Sequence, residues 1–183
     1  MQLNPWEGGK AMPKRGSDKL TAAGKKFFAE IKKLAGLQVQ AGFTSDRRGH
    51  DQNHSSVEAE DYPDGVTVAE IAASNEFGTK NSDGTQRIPE RPFMRQSVDN
   101  NKGTIATMGS EQLKAVVMGK ADAEKALSVI GALQVGLIQH EIRAGGFTPN
   151  APSTIKRKGS SQPLIDEGRM RQSVHYVVKE RKG

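Results

Sequence analysis

Apolar residues recur along the chain at two periods, and each period predicts a different element. Leu20, Ala23, Phe27, Ile31 and Leu34 follow at three- and four-residue steps, the spacing that lines one face of a helix. Ser17 or Asp18 is a suitable N-cap, and the helix runs to about Ala35, where Gly36 ends it. Leu37 to Phe43 alternates apolar and polar residues, the pattern of a half-buried strand. Val68 to Phe77 reads as a short helix, stopped by Gly78 where a left-handed cap costs little. From Phe93 to Val117 the helical period is patchier and is interrupted by Gly103, Gly109 and Gly119. It predicts helices over 93–101 and about 103–118, either separate or continuous. The strongest stripe is Ala123, Ala126, Leu127, Ile130, Leu133, Leu137, Ile138 and Ile142. It predicts a helix from Ala121 to Ala144, with Asp122 at its start and Gly145-Gly146 as its stop. An alternating closing strand is predicted over Gln172–Val178.

The remaining stretches lack a period. Residues 1–16 carry Pro5, Gly8, Gly9, Pro13 and Gly16 and read as a flexible N-terminal arm. Residues 44–65 are polar and rich in Asp, Arg, His, Asn and Ser. A loop of about twenty residues is long for a compact domain, and it reads as a protruding excursion. Residues 147–163 read as a Pro-, Ser- and Lys-rich loop, and Leu164 to Gly168 as a turn. The expected architecture is therefore α+β: a small antiparallel sheet packed against helices, with an arm at 1–16 and one domain over 17–183. Gly131 and Gly136 lie inside the strongest helix, where each costs about 1 kcal/mol relative to Ala. Close approach of another backbone is the expected reason.

One stretch is built as a corner. In Ile88-Pro89-Glu90-Arg91-Pro92-Phe93 two prolines bracket a Glu-Arg pair and an aromatic residue follows. Proline fixes its own φ and biases the residue before it toward extended geometry. With the upstream helix end Asn75-Glu76-Phe77-Gly78, the candidate residues are Glu76, Phe77, Gly78, Arg91, Pro92 and Phe93, with an ion pair between Glu76 and Arg91 expected inside the corner. They stabilise the monomer, shape a subunit interface, or do both.

The hydrophobic share is 34%, which is low for a globular chain and leaves burial for a partner to supply. The 27 Lys+Arg against 21 Asp+Glu give a net charge of +6, which suits phosphate or an acidic protein surface without choosing between them. The absence of cysteine removes disulfides, thiolate metal sites and a cysteine nucleophile. No apolar run approaches the roughly 18 residues that cross a bilayer, so no membrane partner is expected.

Candidate chemistry is sparse. His50-Asp51-Gln52-Asn53-His54 has the spacing of the H-E-x-x-H zinc motif with Asp for Glu, but that chemistry needs a helix and these flanks favour an exposed loop. Neither a nucleophile elbow nor a phosphate-binding loop is present, so catalytic, metal and cofactor sites are expected to be absent. A small hydrolase or nuclease is the remote alternative. Lys156, Arg157 and Lys158 form the densest basic run, open to solvent, to a protein or subunit contact, or to nucleic acid, although no aromatic residue stands near to stack a base. Trp6, the only tryptophan, either folds back onto the body or anchors the arm on a neighbouring subunit.

Two blocks carry a resemblance. Ala69-Glu70-Ile71-Ala72, Asn75-Glu76-Phe77-Gly78-Thr79 and Ile88-Pro89-x-Arg91-Pro92-Phe93 form the first. Ala151-Pro152-Ser153-Thr154-Ile155-x-Arg157-Lys158-Gly159 and Pro163-Leu164-Ile165-Asp166-x-Gly168-x-Met170-Arg171-x-Ser173-Val174 form the second. Together, over about Leu37 to Val178, they resemble the head–tail joining proteins of tailed bacteriophages, also called neck, tail-completion or virion-morphogenesis proteins. Glu167 departs from that pattern, which has Thr there. The resemblance implies a non-enzymatic virion protein assembled in the host cytoplasm as a homo-oligomeric ring. Its partners would be the portal or connector and tail-tube or tail-terminator proteins, with DNA passing through the channel. The alternative is a basic nucleic-acid-binding protein that contacts phosphates through residues 154–161.

Overall fold

The computed structural model of the chain describes residues 20–43, 65–165 and 168–181. The fold is α+β, with seven helices and two small antiparallel sheets among these residues. The order is α1 (Ala22–Gly36), β1 (Leu37–Gly42), α2 (Val68–Phe77), β2 (Thr79–Lys80), β3 (Gln86–Ile88), α3 (Phe93–Asp99), α4 (Lys102–Val117), α5 (Ala123–Ala144), α6 (Pro152–Lys158), α7 (Arg169–Gln172) and β4 (His175–Glu180).

The central strut is α5. The Asp122 side chain caps it by accepting from the Lys125 amide at 2.8 Å, and Gly145 ends it at φ 73°. A second carboxylate reaches the same helix end from a distance: Glu30 of α1 accepts from the Ala123 amide at 2.9 Å. Acidic groups belong at this end of a helix dipole. α5 packs against α3, α4 and both strands of the β1–β4 sheet.

That sheet joins two strands from opposite ends of the described chain, in the register Leu37↔Glu180 through Gly42↔His175. The sheet sits close because Gly131 has no side chain. A Cβ there would lie 2.5 Å from the Tyr176 ring and 2.9 Å from Val39. Side chains, rather than the backbone that was expected, occupy the space. The same expectation fails at Gly136, where a Cβ would meet nothing within 4 Å.

The core joins α2, α3, α5 and the chain before β4: Val68, Ala72, Phe93, Ile138, Ile142, Leu164, Met170 and Val174 form one buried cluster. Phe93 is completely enclosed, with the Phe43 ring edge-on at 6.1 Å. Leu164 enters this cluster with φ 62°, a backbone region that a γ-branched residue rarely visits. Burying its side chain compensates.

Several boundaries differ from the expectation. Thr21 caps α1 by accepting from the Gly24 amide at 3.1 Å, while Ser17 and Asp18 lie outside the described residues. Leu20 precedes the helix and is half exposed, and no α1 residue is fully buried. The expected stripe is only half covered, by Phe27, Ile31 and Leu34. Thr67 and Glu70 form a capping box on α2. The polar stretch after Gly78 is a small hairpin, β2–β3. Its turn is closed by Asp83, which accepts from the Thr85 amide and hydroxyl. The expected loop at 147–163 contains α6, begun by Pro152 in the first helical turn and ended by left-handed Gly159. That start and stop are the usual pair for a short helix. Gln172 and Ser173 belong to α7 and its cap, so the last strand starts at His175. The arm at 1–16 and all but Gly65 of the 44–65 excursion lie outside the described residues.

The two glycines of α5 should respond with opposite signs. Gly131→Ala should lower stability by about 2 kcal/mol through overpacking against Tyr176. Gly136→Ala should raise it by about 0.5–1 kcal/mol through helix propensity alone. Urea unfolding of both variants checks this, and equal signs would contradict the packing described.

Candidate functional site

The corner predicted between Asn75 and Phe93 is real, and its wiring differs from expectation. α2 ends at Gly78, whose φ is 68° and ψ 169°, so the chain leaves extended rather than in the left-handed helical conformation. A Cβ at Gly78 would lie 2.9 Å from the Ile88 carbonyl and 3.1 Å from the Glu90 nitrogen. Glycine is required here twice, by its φ and by the strand that passes over it. At Pro92 the backbone has φ −79° and ψ 56°, and the Phe93 amide donates to the Arg91 carbonyl at 2.8 Å. These are the marks of an inverse γ-turn. It turns Phe93 into the core and sends the Arg91 side chain another way.

Arg91 is buried. Its Nε donates to the Thr148 carbonyl at 2.8 Å, one terminal nitrogen to Asn75 Oδ1 at 2.7 Å, and the other to the Pro149 carbonyl at 3.2 Å and Asn150 Oδ1 at 3.1 Å. Its own amide donates to the Asn75 carbonyl at 2.7 Å. Every one of these acceptors is neutral, and among the described residues no carboxylate pairs with the guanidinium. Burial pushes its pKa below the ordinary value, yet a guanidinium remains charged at neutral pH. Oriented carbonyl and amide dipoles therefore solvate it in place of water.

The expected Glu76–Arg91 ion pair does not form. Glu76 is buried and faces α3 instead. Its carboxylate accepts from the Met94 amide at 2.9 Å, the Arg95 amide at 3.1 Å and Arg95 Nε at 3.0 Å. The N-cap residue of α3 is Pro92, which supplies no side-chain cap. A carboxylate from the preceding helix caps α3 from outside. Arg95 also donates to the Glu76 carbonyl at 2.8 Å and pairs with Glu90. Its pKa is raised by the hydrogen bonds to Glu90 and Glu76.

Phe77 lies at the outer edge of the corner. It is 69% exposed, with the Arg95 guanidinium 5.5 Å from the ring centre. Phe77, Arg95 and Glu90 thus form an outward-facing patch on a rigid base. Arg95 is the corner residue that sequence reading missed. The only signal for it was its place three residues into a helix whose start lacks a capping side chain.

The other candidates lie elsewhere. Lys156 is exposed on α6, so the basic run begins on a short helix rather than in a loop. The side chains of Arg157 and Lys158 lie outside the described residues, as do Trp6, His50 and His54. Pro92 is half-buried and acts through the γ-turn. Among the described residues no group of three or more His, Cys, Asp or Glu side chains is arranged to hold a metal. No helix among them is long and apolar enough to cross a membrane.

The chain matches no family model, no curated protein and no solved structure. What the corner can do is therefore argued from its own chemistry. Its buried charges are saturated by internal partners, which makes the corner stiff and leaves an aromatic–cation patch for contact.

Two expectations follow for stability. Arg91→Met should cost about 3 kcal/mol, because the desolvated oxygens of Thr148, Asn75 and Asn150 lose their donor. In double-mutant cycles by urea unfolding, Glu76 and Arg95 should couple by about 1 kcal/mol and Glu76 and Arg91 by less. The reverse order would restore the discarded ion pair.

Proposed function

We propose that the chain is a structural virion protein of a tailed bacteriophage, a ring subunit of the head-to-tail connector. The observation that carries the reading is the meeting of its two motif blocks in one body. Arg91 of the first block grips Thr148, Pro149 and Asn150 at the threshold of the second, and Phe93 packs in one cluster with Leu164, Met170 and Val174. Residues far apart in the chain thus act as one rigid unit, which is what a subunit held on both sides by neighbours needs. A ring closes through heterologous contacts between different surfaces of the same chain. The exposed Phe77 patch is suited to such a contact, since aromatic and arginine side chains dominate interface energies. The surplus of positive charge suits a channel that DNA traverses or an acidic neighbour.

Negative-stain microscopy of the purified protein, and of particles that carry it, tests the proposal. Rings of uniform diameter, and the protein located at the head–tail junction, are the expected result. Phe77→Ser should leave unfolding unchanged and abolish the rings. A protein that stays monomeric at all concentrations and is missing from particles would refute the reading. Tight, salt-sensitive binding to DNA by such a monomer would instead favour the phosphate-contacting alternative.

A further inference from the structure

A second surface is left uncovered on the side of the molecule built from α1 and the α4–α5 turn. A groove of about 700 Å³ runs there, lined by Ala23, Gly24 and Phe27 of α1 and by Val116, Val117 and Met118 at the end of α4. Leu20 just before α1, Phe28 of α1, Leu113 and Val117 of α4 and Met118 at its C-cap are each about half exposed. Of these, Val117 and Met118 line the groove itself, and exposed apolar surface beside a groove is what a folded chain normally covers.

The position of the groove selects its occupant. The chain reaches α1 through Leu20, whose Cδ2 lies 3.4 Å from where a Gly24 side chain would begin. Residues 1–19 therefore join the described structure at the edge of the groove. They contain the only tryptophan of the chain, Trp6, followed directly by Glu7. Thirteen residues separate Trp6 from Leu20, and a linker of that length spans at most about 45 Å, ample to return along α1. Lys26, Lys120 and Lys125 also line the groove, together with Glu30 and Asp122.

We propose that this groove is the docking site of the chain's own residues 1–19, with Trp6 as the anchor. The tether favours the chain's own segment over that of another copy, because covalent linkage gives an effective concentration on the order of millimolar. Docking covers the apolar face of α1 and the end of α4. The proposal does not rest on the connector reading.

Trp6 is its own probe. In the full-length protein its emission should be blue-shifted and shielded from acrylamide, and neither property should change on dilution. In the full-length double variant Val117→Lys, Met118→Gln, both at half-exposed positions, emission should shift to the red and quenching should rise several-fold while thermal unfolding stays unchanged. Should that variant fail to fold, full-length Trp6→Ser supplies the converse reading, an increase in binding of an apolar dye as the groove opens. A parent Trp6 quenched as readily as free N-acetyltryptophanamide would overturn the proposal. So would shielding that persists in the folded double variant, dye binding unchanged by Trp6→Ser, or shielding lost on dilution, the last assigning the groove to a second copy.

Discussion

A buried guanidinium with only neutral oxygens around it is the constraint on which the structure turns. Removing a charge from water is expensive unless fixed dipoles replace the solvent. Arg91 meets that condition only when Asn75, Thr148, Pro149 and Asn150 stand together. The end of α2, the second proline of the corner and the chain beyond α5 must therefore be placed at once. Glu76 sets a matching condition one residue along, since its carboxylate is satisfied only by the first turn of α3 and Arg95. The two opposite charges do not pair: neutral dipoles solvate Arg91, while Arg95 and two backbone amides satisfy Glu76.

The rest of the molecule is arranged around this corner. The γ-turn at Pro92 sends Phe93 beneath it, into the cluster that α5 and the segment before β4 complete. The missing side chain at Gly131 lets the β1–β4 sheet settle on α5. Glu30 and the Lys33–Glu124 bridge, 3.0 Å long, hold α1 to the start of the same helix. That bridge is half exposed and adds little. The weakly covered α1 is thus tied mainly by one carboxylate and a half-buried stripe.

The long apolar stripe of α5, with Asp122 before it and Gly145 after, was legible because period, cap and stop agree. The corner was legible as a corner because proline and glycine act locally. Its wiring was not, because Arg91 and Arg95 are equally plausible partners for Glu76 until the direction of the turn at Pro92 is known. The segment Pro152–Lys158 was missed as a helix because it offers almost no apolar period, although Pro152 and Gly159 bracket it. The β2–β3 hairpin is held by Asn81, Asp83 and Thr85, polar residues that read equally well as loop. Gly131 and Gly136 look alike in sequence and differ only in what packs above them.

Native-state hydrogen exchange at single amides probes the central claim most directly. The Arg91, Phe93, Met94 and Arg95 amides all donate into the corner. If the corner is the point on which the fold depends, all of them should exchange only through global unfolding, with the same free energy as the best-protected amides of α5. Exchange of these amides through a local opening well below the global value, while α5 stays protected, would show that the corner is an appendage and contradict the account.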